Sequence, residues 1–249
     1  MEPLLTLSGV ELYYDQVYAL RNVSLEVNEG ETVALIGANG AGKTSILRAI
    51  TGLRKIRSGE IRFRGQRIDG LAPDELVKMG IAMVPEGRRS FPLMSVKDNL
   101  LIGAFTRHDK AEVARTLEAV LARFPRLRER YGQAAGTMSG GEQQMLVIGR
   151  ALLSEPRVML IDELSLGLAP KMVLTLLDTI QRLNAERGTA CLLVEQAATA
   201  ALSIARSAYL LRKGEVVFRG SAEQLRSEVD VLHGAYLGKA RAPAQPVLR

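Results

Sequence analysis

Cysteine occurs once in this 249-residue chain, at Cys191, tryptophan is absent, and aromatic residues make up 4%. A single cysteine excludes an internal disulfide framework and fits a reducing compartment. Lying in an apolar run, Cys191 reads as buried rather than reactive. The two histidines, His108 and His233, have no ligand spacing, which argues against a dedicated zinc centre. Apolar runs are short. Val158 to Ile161 and Ala190 to Val194 are strand-sized, far below the ~18 residues a membrane-spanning helix needs. Met1-Glu2-Pro3 begins no basic region followed by an apolar stretch, so no secretory signal is read and the expected compartment is the cytoplasm. The 23 glycines show no three-residue period, which excludes collagen. Nor does any Ser, His and Asp pattern point to acyl transfer.

What the chain does have is the composition of a globular protein, 47% hydrophobic and 24% charged, long enough to bury a core without staples. Thirty-three Lys and Arg against 27 Asp and Glu leave a formal charge of +6. This basic balance invites a nucleic-acid reading. The basic residues are scattered and few aromatics accompany them, so no nucleic-acid partner is expected. Strands are expected at Leu4 to Val10, around Val23, Leu25 and Val27, at Thr32 to Ile36, Ile81 to Val84, Val158 to Ile161, Ala190 to Val194, Ala208 to Leu211 and Val216 to Phe218. Helices are expected at Lys43 to Leu53, Ala111 to Phe124, Lys171 to Ala185 and Ala197 to Ala205, with a capping pattern at Ser95 to Asp98. Alternating strands and helices imply a mostly parallel α/β sheet, interrupted by a helical stretch from about Ser95 to Leu153. Lys239 to Pro246 lacks apolar periodicity and reads as a frayed tail.

Three motifs carry chemistry. Gly37-Ala38-Asn39-Gly40-Ala41-Gly42-Lys43-Thr44 is a phosphate-binding loop pattern, placed after an expected strand and before an expected helix. Its glycines let backbone N–H groups curl around a phosphate, and the helix start adds free donors. Lys43 offers a cation to the β- and γ-phosphates, and the Thr44 hydroxyl can ligate Mg²⁺. In Arg157-Val-Met-Leu-Ile-Asp162-Glu163, four apolar residues end in two carboxylates at the edge where open α/β sheets bind ligands. Asp162 suits a Mg²⁺-linked role and Glu163 suits polarising an attacking water. In Met138-Ser139-Gly140-Gly141-Glu142-Gln143-Gln144, Ser139 and Glu142 form a capping box. That box does not account for Gly140 and Gly141, which weaken a first helical turn but leave donors open to a phosphate.

With these motifs in this order, the chain closely resembles the ATP-binding cassette (ABC) family from about Leu4 to Gly238. The resemblance implies a P-loop NTPase core, an N-terminal antiparallel β subdomain and an inserted helical subdomain. It implies one domain over residues 3–238, the helical lobe at about 87–153, and a flexible tail at 239–249. Two cassettes of that family stack head to tail, so that Ser139, Gly140 and Gly141 of one would cover the γ-phosphate held by the phosphate loop of the other. Ser45, next to Thr44, joins the implied ATP contacts. Tyr14 stands where the family stacks an aromatic on adenine; a packed strand tyrosine is the plainer alternative. Ser165 to Ala169 fits the loop that touches the opposite site.

The closer likeness is to the branched-chain amino-acid uptake branch, through Gly37 to Gly42, Val84-Pro-Glu86-Gly-Arg88, Ser165 to Pro170, Leu193-Val-Glu-Gln196 and Ala235-Tyr-Leu-Gly238. Urea-uptake ATPases share much of this wording. Implied are ATP and Mg²⁺, two integral-membrane permease subunits, a second ATPase (a sibling or a copy of the chain), an extracytoplasmic substrate-binding protein, and a place on the cytoplasmic face of the inner membrane. Departures from the general pattern are Glu86 for the usual Gln, still able to face a Mg²⁺ shell, and Gln196 for the His that contacts the γ-phosphate. Gln donates a hydrogen bond but carries no proton-borne charge. Leu164 for Pro, Met138 for Leu and Glu142 for Gln read as packing or capping variation. A non-transport cassette acting in DNA repair or translation would carry coiled-coil insertions or paired cassettes, neither of which is present. A small-molecule kinase would share Lys43 and Thr44 without needing Ser139-Gly-Gly.

Overall fold

The computed structural model describes residues 2–227. The 239–249 tail, His233 and the Ala235 to Gly238 motif lie outside the described residues. Two sheets organise the described residues. The first is antiparallel and holds β1 (Leu5–Tyr14), β2 (Val17–Val27), β4 (Ser58–Phe63) and β5 (Gln66–Arg67) in the order β2-β1-β4-β5. The second runs β10-β9-β3-β8-β7-β6, from β3 (Thr32–Ile36), β6 (Ile81–Val84), β7 (Val158–Asp162), β8 (Ala190–Glu195), β9 (Ser207–Arg212) and β10 (Glu215–Ser221). All its neighbours pair in parallel except β9 and β10. The expected antiparallel subdomain and parallel core are both present.

The central strands are buried on both faces, and their alternate residues enter two different cores. Ala34 and Ile36 of β3, Met159 and Ile161 of β7, and Cys191 and Leu193 of β8 face one cluster. That cluster holds the helical lobe together with α7 (Pro170–Arg187) and α8 (Ala198–Leu202). Val33 and Leu35, Val158 and Leu160, and Leu192 and Val194 face the other, shared with the antiparallel sheet and α1 (Lys43–Ile50). Such two-sided burial explains why these strands read as continuous apolar runs. It also buries Cys191 completely and pushes its thiol up to about 12. Leu164 is likewise buried in the lobe-side cluster, in keeping with a packing substitution.

The lobe contains α3 (Val96–Ile102), α4 (Lys110–Arg123), α5 (Pro125–Glu129) and α6 (Gly140–Leu152). Ser95 caps α3 by accepting from Asp98 N, and Asp109 caps α4 by accepting from Ala111 N and Glu112 N. Three helix ends differ from expectation by two residues or more. α1 stops at Ile50 rather than Leu53, because the Thr51 hydroxyl donates to Leu47 O at 2.8 Å and Gly52 turns left-handed at φ 70°. α7 runs on to Arg187, where Gly188 ends it at φ 64°. α8 is three residues shorter at its C-terminal side than the apolar pattern suggested. The strands β4 and β5 and the helix α2 (Pro73–Met79) have no counterpart among the expected elements.

Candidate nucleotide site

β3 delivers the chain into the glycine loop, and α1 takes it away. Gly42, the N-cap of α1, sits at φ 109°, where a Cβ would come within 2.7 Å of Ala19 O. Only glycine lets the loop turn there and pass this close to β2. The loop is tied down from outside: Gly37 N donates to Glu195 O at 3.3 Å, and Gly214 N donates to Ala41 O at 2.8 Å.

Lys43 is buried at 5% side-chain exposure. Its Nζ donates to Gly37 O at 2.8 Å and Ala38 O at 3.3 Å, and lies 3.1 Å from Glu163 Oε1. Without nucleotide the lysine thus spans the loop it encloses and pairs with the carboxylate expected to polarise water. Glu163 is held at φ 48°, a sparsely populated conformation for a side-chain-bearing residue that costs about 1–3 kcal/mol and persists only where surrounding contacts enforce it.

Asp162 ends β7 at 1% exposure. Thr44 Oγ1 donates to its Oδ2 at 3.1 Å, while Oδ1 is buried with no hydrogen-bond partner. Burial pushes the carboxyl up to about 6, with help from the charges of Glu86 and Glu163 and against the Thr44 bond and Lys43. An orphaned carboxylate oxygen beside a threonine hydroxyl and the Glu86 carboxylate is a set of hard oxygen donors, the kind Mg²⁺ takes. The residues present therefore fit that ion.

The ionised carboxylate destabilises the nucleotide-free fold. Because its folded pKa lies above the usual 3.8, stability is lost as pH rises from about 4 to about 6, and the loss is complete above 6. Asp162→Asn is therefore expected to melt about 2–4 °C higher than the parent at pH 7. The gap should close as the pH is lowered towards 4, in paired thermal melts; the same variant should lose ATP turnover.

A cleft of ≈ 460 Å³ opens over these groups, lined by Tyr14, Asn39, Gly40, Gly42, Lys43, Thr44, Ser45, Glu86 and Glu163, with Val17, Tyr18, Ala19 and Leu166 completing the wall. Val17, Tyr18 and Ala19 were not anticipated; they open β2, whose position beside the loop only the tertiary fold sets, and Leu166 belongs to the segment after β7. Tyr14 stands at the mouth. One ring face carries the Arg54 guanidinium at 4.7 Å, and its hydroxyl accepts from Arg48 at 3.3 Å. Gly37, Ala38 and Ala41 belong to the loop but not to the cleft wall, and Gln196 is exposed just beyond β8.

Ser139, Gly140 and Gly141 are not brought to this cleft. They open α6 in the lobe, where the expected capping box forms: Ser139 N donates to Glu142 Oε2 at 2.9 Å and Ser139 Oγ accepts from Glu142 N at 3.4 Å. Arg130 braces Glu142 at 2.9 Å. The glycines also lie against side chains of other segments, contacts that the sequence did not reveal. A Cβ on Gly140 would collide with the Arg88 guanidinium, and one on Gly141 with the Met172 side chain.

A glycine loop between a parallel strand and a helix, a lysine inside it and an acidic pair at the end of β7, two places along the sheet from β3, define a phosphate-loop nucleotide-binding protein. Residues 20–165 match the family described as ABC transporter, and the chain belongs to that family. It is 46% identical over 235 residues, 94% of this chain and all of the relative, to a protein named high-affinity branched-chain amino acid transport ATP-binding protein BraG from Pseudomonas aeruginosa. It is 38% identical to a probable branched-chain amino acid transport ATP-binding protein, LivF, from Archaeoglobus fulgidus, over 85% of this chain and 89% of that one. Among solved structures, the ADP conformation of MJ1267, an ATP-binding cassette of an ABC transporter, superposes with a TM-score of 0.84 at 26% identity, covering 96% of this chain and 100% of the other. A dimeric post-hydrolysis cassette, MJ0796 bound to ADP and Pi, superposes with a TM-score of 0.79 at 26% identity, covering 88% and 98%.

Proposed function

We propose that this chain is the ATP-hydrolysing subunit of an importer for branched-chain and other hydrophobic amino acids. One observation carries the reading. Lys43, Thr44 and Glu163 line one cleft, with Asp162 bonded to Thr44, whereas Ser139-Gly140-Gly141 stands apart on the lobe, so the site is half built in one chain. A second cassette, a copy of this one or a sibling, completes it head to tail. The start of α6 from one subunit then meets the γ-phosphate held in the other, its uncovered N–H groups and dipole facing the anion.

In this reading Tyr14 offers its ring to adenine, the loop from Gly37 to Gly42 and Ser45 wrap the phosphates, and Lys43 leaves Glu163 for the β- and γ-phosphates. Thr44, Asp162 and Glu86 would hold Mg²⁺, which supplies charge neutralisation across those phosphates. Glu163, freed from Lys43, accepts a proton from the water that attacks in line. Gln196 donates a hydrogen bond towards the γ-phosphate. ATP drives transport because it binds the closed pair more tightly than the open one. Among the described residues no helix is long and apolar enough to cross a membrane. Its likeness to the amino-acid transport ATP-binding proteins supports a subunit that works on the cytoplasmic face of the inner membrane against two permease subunits fed by an extracytoplasmic binding protein.

Tyr14→Ala is expected to raise KM for ATP about three- to tenfold and leave kcat within twofold, since stacking of this kind contributes about 1 kcal/mol; steady-state hydrolysis checks it. The reading as a whole is tested by co-expressing the chain with its permeases and binding protein in inverted vesicles. ATP-dependent transport of labelled leucine, isoleucine and valine is expected. Transport of urea instead, or recovery of the chain only with ribosomes or DNA, contradicts it.

A further inference from the structure

Glu195 is the last residue of β8 and 1% exposed. None of the roles assigned above uses its side chain. Both of its carboxylate oxygens are engaged by one residue: Ser165 N donates to Oε1 at 2.9 Å and Ser165 Oγ donates to Oε2 at 2.8 Å. Its main-chain carbonyl accepts from Gly37 N, at the entrance of the phosphate loop. One residue therefore joins that loop to the segment following Glu163. One position earlier, Val194 O accepts from Glu163 N at 2.9 Å. The strained Glu163 is thus fastened to the end of β8 on both sides.

The far side of the same segment is held by a cation. Arg88 Nη2 donates to Gly167 O at 2.6 Å and reaches Leu166 O at 3.4 Å, while the guanidinium lies over Gly140 at the start of α6. Gly87 and Arg88 themselves sit at φ 83° and 53°, for Arg88 a sparsely populated conformation that the surrounding structure must enforce. Charged groups grip the 165–167 segment at each end, a carboxylate through two N–H and O–H donors and a guanidinium through two carbonyls. Such bonds are roughly twice as strong as neutral ones.

We infer that Glu195 and Arg88 are positioning residues for hydrolysis, clamping the 165–167 segment so that Glu163, the phosphate loop and the Ser139-Gly140-Gly141 turn hold one fixed geometry. The inference rests on the reading of Glu163 given above. Neither residue lines the cleft, so their loss is expected to act on the chemical step rather than on binding. A misplacement of about 1 Å is enough to cost a hundredfold in rate.

The test uses the full chain, with steady-state ATP hydrolysis, binding of a fluorescent ATP analogue, and melting. Glu195→Gln and Arg88→Lys are each expected to lower kcat about tenfold or more, with KM and analogue affinity within twofold of the parent. The double variant should be no slower than the worse single one, because both act through one segment. If Glu195→Gln does not fold, Ser165→Ala carries the same test and should lower kcat, with Ser165→Thr, which keeps the hydroxyl, restoring it. A raised KM with unchanged kcat, unchanged kinetics, or additive losses in the double variant overturns the inference. Absence of turnover in the parent chain would instead overturn the ATPase reading, so the two failures are distinguishable.

Discussion

Glu163→Gln should bind ATP at least as tightly as the parent and release phosphate about 10²–10⁴ times more slowly, the range general-base catalysis commonly supplies. The structure gives both halves of this expectation. Glu163 lies 3.1 Å from the Lys43 ammonium, and an incoming triphosphate must draw the lysine off that carboxylate. Gln removes the competing charge, so the lysine is released to the phosphates at lower cost. The amide cannot accept the proton of an attacking water, so the chemical step stalls with nucleotide in place. A phosphate-release assay beside nucleotide titration separates the two effects. Turnover equal to the parent would remove Glu163 from its role.

Lys43→Ala should produce the opposite pattern, an ATP affinity lower by about a hundredfold, equivalent to roughly 2.8 kcal/mol. The side chain is buried, spans Gly37 O and Ala38 O, and is the cation that the cleft supplies beside its acidic groups Glu86 and Glu163, with Asp162 bonded to Thr44 next to them. Its loss leaves Glu163 without its partner, adds to the negative charge of the cleft and removes the cation that would face the phosphates. Isothermal titration with ATP and Mg²⁺ measures this. Affinity within threefold of the parent would place the phosphates elsewhere.

The elements holding these residues were legible in the sequence where burial is strongest. β3, β7 and β8 are covered on both faces, so each writes an unbroken apolar run, and the glycine loop follows β3 directly. β4 escaped because only Ile61 and Phe63 of its six residues are buried, and α2 because only Leu76 is; one or two apolar anchors set no period. α1 was over-extended because Leu53 continues an apolar pattern, although it is 57% exposed beyond the Gly52 turn. Of the site, Lys43, Thr44, Asp162 and Glu163 lie within local motifs whose spacing carries their chemistry. The clamp does not. Glu195 meets Ser165 across 30 positions and Arg88 meets Gly167 across 79. Glu195 ends an apolar strand in an acid, as Asp162 does, and only the fold separates their uses.

The central claim is that each triphosphate is shared by the glycine loop of one subunit and the Ser139-Gly140-Gly141 turn of another. Mixing two inactive variants tests it most directly: Lys43→Ala, which spoils the loop, and Ser139→Phe, which blocks the turn. If the site is built between subunits, a mixed pair contains one site with both parts intact, and an equimolar mixture should recover about a quarter of parental hydrolysis, since half the pairs are mixed and each has one of two sites. If loop and turn of the same chain met on one nucleotide, every chain in the mixture would carry a defect, and hydrolysis would stay at the level of the separate variants.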